Sequence, residues 1–190
     1  GKISGRYHSV VDTYRMEDAD VALVILNSAA ETAKDVADRL RQKGAKVGVI
    51  SPNVLRPFPA AEIRTALKHV KAVLIAERAD SYGGHGNALT HEVKATLKDD
   101  PENRTLCLSR IYGLGGKDFL FEDAEALFLI VQEAAETGKV EVPFDYYGIT
   151  PSNPASASRP NVLPAFTKAE MRPGLVQVEK NKETNKLQVQ

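Results

Sequence analysis

Sulfur is scarce in this chain: it has one cysteine, Cys107, and two methionines. A lone cysteine closes no internal disulfide, and it supplies neither a thiolate zinc site nor the set of thiolates that an iron–sulfur cluster needs. An excess of charge is also missing. The 25 basic residues are matched by 25 acidic ones, so no broad positive field favours nucleic acid or an anionic membrane. No apolar run approaches a membrane span, and the opening GKISGRYHSVVDTYR lacks the apolar core of a signal peptide. A cytoplasmic protein with neither nucleic-acid nor membrane partners is the expectation. The start GKISG, with no initiator methionine before it, reads as the interior of a longer polypeptide or a processed chain.

What is present is an ordinary globular composition, 43% hydrophobic and 26% charged over 190 residues, enough for one sizeable core with appendages. From Ala19 to Gly138, short apolar runs alternate with segments of helical period. ADVALVILNS is nearly continuous in buried-type residues, as in a strand covered on both faces. Ser28 and Glu31 then have the spacing of a capping box, and Ala33, Val36, Ala37 and Leu40 share one helical face that Gly44 ends. AKVGVIS predicts a second strand, followed by a helix opened by Pro59 with Ile63, Leu67 and Val70 as its apolar stripe. KAVLIAE is a third strand, followed by the turn DSYGGHGN and a helix carrying Leu89, Val93 and Leu97; RTLCLSR is a fourth, followed by IYGLGGKDF and a helix over about 122–137. Such alternation predicts a three-layer α/β/α domain over 1–142 with a mainly parallel sheet of about five strands. HSVVDTYR supplies an edge strand of either direction.

After Gly138 the character changes. Six of the ten prolines fall between Pro143 and Pro173, so residues 143–190 read as an extended arm or linker that cannot form its own core. DYYGI, NVLPAF and PGLVQV carry apolar anchors, which favours an arm seeking a partner surface over a purely solvated linker.

Turns at the carboxyl ends of parallel strands are where an α/β sheet binds ligands. NSAAE has no glycine to let a pyrophosphate approach, and IYGLGGKDF departs from a phosphate loop at Ile111 and Asp118, where a glycine and a magnesium-binding hydroxyl are needed. The turn Gly83, Gly84, His85, Gly86 and Asn87 is the better anion candidate, since it precedes a helix N-terminus; glycines there also serve plain backbone geometry. His91 and Glu92 begin H-E-x-x-H, but Ala95 occupies its last position. No G-x-S-x-G elbow occurs, and Cys107 lies within an apolar strand as a buried, unreactive thiol would. Glu77, Arg78 and Asp80 gather at a strand end, where an ion pair at a domain contact is the plain reading. No catalytic residue and no metal site are assigned.

Four stretches, in order, carry a resemblance: GRYHSVVDTYRMEDADVALVILNS, VLRPFP, ERADSYGGHGNALTHEVKATL and SRIYGLGGKDF. Together, from about Gly5 to Phe119, the chain resembles the second domain of the α subunit of pyruvate:ferredoxin oxidoreductase and related 2-oxoacid:acceptor oxidoreductases. The resemblance implies a domain like the transketolase C-terminal domain, with an antiparallel edge strand. It also implies membership of an enzyme that oxidatively decarboxylates a 2-oxoacid, by default pyruvate, to an acyl-CoA and reduces ferredoxin or flavodoxin. Thiamine diphosphate, Mg2+, [4Fe-4S] clusters and CoA are expected in the complete enzyme, on other domains or subunits, and none on this chain, which has no G-D-G motif. Arg56, Arg110, Tyr112, Gly113, Gly115, Gly116, Lys117 and Asp118 are candidates for interdomain packing rather than catalysis. The chain departs from the family at Asn27-Ser28, where many relatives have Gly-Ser. Two alternatives stay open: an independent module binding a phosphorylated ligand such as a nucleotide or CoA, and the C-terminal domain of another thiamine-dependent enzyme.

Overall fold

The computed structural model describes residues 3–5 and 8–149, and in the C-terminal part the strands at 178–180 and 187–189. Two compact units divide the chain, residues 1–150 and 151–190. In the first, the element order is β1 (Val11–Tyr14), β2 (Val21–Val24), α1 (Ser28–Gln42), β3 (Val47–Pro52), α2 (Ala60–Leu67), β4 (Ala72–Glu77), α3 (Ala88–Lys98), β5 (Leu106–Ile111), a single 3-10 turn (Leu114–Gly116), α4 (Phe121–Thr137) and β6 (Phe144–Tyr146). In the second, β7 (Val178–Lys180) pairs antiparallel with β8 (Leu187–Val189).

The six strands of the first unit lie in the order β1-β3-β2-β4-β5-β6. All neighbouring pairs are parallel except β1 with β3, which are antiparallel. The expected mainly parallel sheet with an antiparallel edge is therefore present. Alternation along the central strands divides the core into two. Val21, Leu23 and Ile25 of the β2 segment and Ala72, Leu74 and Ala76 of β4 pack with α1 and α4. Ala22, Val24, Val73 and Ile75 pack on the opposite face with α2 and α3. The period-2 geometry of a strand makes this inevitable when every residue is apolar, because each successive side chain points to the other face.

Helix stripes fall where the sequence places them: Ala33, Val36, Ala37 and Leu40 are buried on α1, and Leu89, Val93 and Leu97 on α3. Helix α2 stops at Leu67, so Val70 is buried in the connection after it instead of on the helix. The capping box expected from Ser28 and Glu31 does not form, because Asn27, not Ser28, stands at the cap and no side chain bonds the first N–H groups. Glu31 instead accepts from Lys34 Nζ at 2.7 Å, and Lys34 reaches Asp12 of β1 at 2.6 Å. Together with the Tyr14 hydroxyl donating to Asp38 (2.8 Å), this fastens the edge strand to α1 through side chains as well as through its ladder.

The segment read from sequence as the beginning of the arm is partly a strand. Phe144–Tyr146 pairs parallel with Ser109–Ile111, and the buried Arg110 donates through Nη1 to its neighbour's carbonyl, Ser109 (2.7 Å), and to that of Val142 (3.0 Å). The two aromatic residues of FDY suit a pleated surface that the surrounding prolines conceal in a compositional reading. The rest of the expected arm, beyond 149, lies outside the described residues apart from β7 and β8. Among the described residues no helix is long and apolar enough to cross a membrane.

Cys107 lies half-buried on β5, and burial pushes its thiol up to about 11. Since the thiolate is the reactive species, a two-unit rise lowers its population at neutral pH by roughly a hundredfold. Native protein should therefore react with a thiol-disulfide reagent about that much more slowly than urea-unfolded protein, followed by absorbance at constant pH.

Candidate functional site

The carboxyl ends of β2, β4 and β5 bring together the turns singled out in the sequence. At the end of β4, Glu77 is buried at 8% exposure and turns toward α3. Its Oε1 accepts from the backbone N–H of Leu89 (2.8 Å), and its Oε2 from the N–H (2.9 Å) and hydroxyl (2.6 Å) of Thr90. The Thr90 hydroxyl in turn lies 2.9 Å from that of Ser109 on β5. A helix N-terminus attracts an anion because its first N–H groups have no partner and its dipole is positive there. In α3 the protein's own carboxylate fills that place. The plain ion pair expected of Glu77 is thus replaced by a helix cap.

The turn Gly83–Asn87 is organised around this cap. Ser81 Oγ donates to Asn87 Oδ1 (2.6 Å), and Asn87 Nδ2 donates to the Ala79 carbonyl (2.5 Å). Gly86 has φ +116°, and a Cβ there would lie 2.8 Å from Thr90 Cγ2, so a side chain would push the helix start off Glu77. His85 is exposed, its ring 6.2 Å from that of Phe144.

The IYGLGGKDF turn is held from two sides. Arg78 reaches across from β4, its Nε donating to the Gly113 carbonyl (3.4 Å) and its Nη2 to that of Lys117 (3.3 Å). Gly113 is left-handed at φ +67°, and a Cβ there would meet Arg78 Nε at 2.9 Å; the glycine is required by both the bend and the guanidinium. From the other side Lys117 Nζ donates to the Gly148 carbonyl (2.8 Å), and Tyr146 donates to Asp80 (3.0 Å). Residues 144–148 thus lace both turns together, a connection invisible to motif reading because its two ends are more than 30 residues apart.

The interdomain candidates separate by depth. Arg110 and Tyr112 are buried within the unit, and desolvation lowers the Arg110 pKa. Gly115, Gly116, Lys117 and Asp118 are exposed. Arg56 is exposed on the same rim and pairs with Glu92 at 2.9 Å. No group of three or more His, Cys, Asp or Glu side chains among the described residues is placed to hold a metal ion.

A helix-covered, mostly parallel sheet with its polar turns gathered at one rim defines an α/β domain. Residues 19–124 match the family model described as pyruvate:ferredoxin oxidoreductase core domain II, and the chain belongs to that family. It is 38% identical over 145 residues to the pyruvate synthase subunit PorA of Pyrococcus abyssi, a match covering 76% of this chain and 36% of that protein. It is 32% identical over 148 residues to the ketoisovalerate oxidoreductase subunit VorA of Pyrococcus horikoshii, covering 77% of this chain and 37% of that one. The chain therefore spans little more than a third of the length of these relatives. Among solved structures it is similar to a split-gene transketolase, an inactive β4 tetramer, with 21% identity, a TM-score of 0.48, and coverage of 65% of this chain and 40% of that one.

Two outcomes follow for the rim. Glu77→Ala leaves two helix N–H groups and the Thr90 hydroxyl without their acceptor, and urea unfolding should show a loss of roughly 3 kcal/mol; Glu77→Gln, which keeps one acceptor oxygen, should lose less. Asn27 sits at φ 58°, ψ −144°, a region that glycine occupies freely and other residues at a cost. Asn27→Gly should raise stability by roughly 1 kcal/mol in the same experiment, the relieved strain outweighing the entropy of glycine.

Proposed function

We propose that this chain is a non-catalytic assembly domain of a thiamine-diphosphate-dependent 2-oxoacid:ferredoxin oxidoreductase, with pyruvate as the 2-oxoacid. The observation that carries this reading, together with the family membership, is the filling of the α3 N-terminus by Glu77. The turn whose sequence most resembles a phosphate site is spent on internal structure. The chain's one thiol, half-buried in β5, is not the ligand set of an iron–sulfur cluster. No chemical step is assigned to this chain.

What the rim offers is surface. Leu55, Tyr82, Leu114 and Leu120 are exposed there, Tyr82 at 94%, interspersed with Arg56, Lys117 and Asp118. Apolar side chains set among charged ones are the composition of an interface, and the turns that carry Tyr82 and Leu114 are laced by Tyr146 and Lys117. Pyruvate is favoured over a branched 2-oxoacid because pyruvate synthase subunits match at 32–38% identity and ketoisovalerate oxidoreductase subunits at 30–32%.

The chain, tagged and mixed with extract of its source, should capture thiamine-diphosphate and iron–sulfur proteins, and the captured complex should reduce a dye with pyruvate and CoA while the chain alone does not. Tyr82→Asp with Leu114→Asp should weaken capture about tenfold or more without changing the melting temperature. Dye reduction by the chain alone, or capture unaffected by the double substitution, would overturn the reading.

A further inference from the structure

We propose that the crevice between the ends of β2 and β4 binds a small organic oxyanion, a carboxylate or phosphate on an apolar body, through the N-terminus of α1, Arg78 and the Tyr112 hydroxyl. This is a different place from the glycine turn, whose helix end Glu77 occupies. The strand order sets β3 on one side of β2 and β4 on the other, so the turns after β2 and β4 diverge and leave an opening, the position at which open α/β sheets accept ligands. The opening has a volume of about 560 Å³, within the range of small-molecule sites. Leu26, Ala29, Ala79 and Phe119 give it apolar walls.

Two independent features point at an anion. Helix α1 is 15 residues long and has no side-chain cap. Its first N–H groups, Ser28 and Ala29, have no acceptor among the described residues. Separately, Tyr112 is only 5% exposed, its ring held 4.8 Å from that of Phe119, yet its hydroxyl has no hydrogen-bond partner among the described residues. Every fully buried side-chain nitrogen or oxygen among those residues does have one. The Tyr112 hydroxyl is therefore the accessible tip of a buried ring, and the residue lines this crevice. The hydroxyls of Tyr14, Tyr146 and Tyr147 each donate to a carboxylate, those of Asp38, Asp80 and Asp123. A carboxylate or phosphate in the crevice would give Tyr112 the same kind of acceptor.

Charge agrees with this. Arg78 lines the crevice and keeps Nη1 unbonded among the described residues, its Nε and Nη2 holding the neighbouring turn. Of the two carboxylates that also line the opening, Glu77 is committed to α3, while Asp118 at the exposed rim opposes an anion.

The test is a titration of the full chain with benzoate and with phenyl phosphate, read by amide NMR against a sodium chloride control. Saturable shifts are expected at Ser28, Ala29 and Tyr112, with Leu89 and Thr90 unmoved. Tyr112→Phe, which removes a hydroxyl that holds nothing else, should keep the melting temperature and weaken binding about tenfold. Ser28→Pro removes one N–H where proline suits a first helical position and should also weaken it, and Asp118→Asn should strengthen it. Absence of saturation, wild-type affinity in both Tyr112→Phe and Ser28→Pro, or shifts centred on Leu89 and Thr90 would overturn the proposal.

Discussion

A single carboxylate sets the arrangement of the sheet's functional rim. Glu77 ends β4, caps α3, and through Thr90 reaches Ser109 on β5, so strand, helix and neighbouring strand meet at one group. Its burial would be costly without those donors, since a carboxylate stripped of water needs compensation for each lost hydrogen bond. With them it sets where α3 begins, and hence where the DSYGGHGN turn must close. The adjacent Arg78 points along the sheet instead of pairing with Glu77 and performs the equivalent task for the YGLGG turn.

The two turns are therefore parts of one framework, completed by residues 144–148 from much later in the chain. Tyr146 and Lys117 close it with bonds to Asp80 and to the Gly148 carbonyl. Such a framework ties both turns to partners on neighbouring elements, and a surface ordered in advance has less conformational freedom to lose on any association it makes.

Much of this was legible in the sequence wherever local chemistry decides the outcome. Continuous apolar runs such as VALV and AVLI mark strands covered on both faces, and the stripes of α1 and α3 follow from their spacing, because burial rewards those patterns irrespective of context. The glycines at 83, 84 and 86 correctly mark a tight turn before a helix. Their use was not legible, because the group that satisfies the helix end is Glu77, which the motif reading treats as one member of a charge cluster. The cap of α1 was misread for a related reason: Ser28 has the right spacing, but Asn27 adopts the glycine-like bend and shifts the helix start by one residue. β6 was hidden among prolines, since three residues carry too little periodicity to stand out. The crevice lined by Tyr112 depends on which strands become neighbours, which composition does not encode.

The shortness of β6 leaves its mark on the opposite strand. It pairs with Ser109, Arg110 and Ile111 only, so Cys107, whose backbone faces that side while the N–H of Leu106 bonds Lys71 on the other, has no strand ladder there. A bare strand edge of that kind is a template for adding another strand. The three residues of β6, fixed by Arg110 and the Val142 carbonyl, shorten that template to half of β5. A shorter open edge leaves fewer places for a strand of another molecule to add.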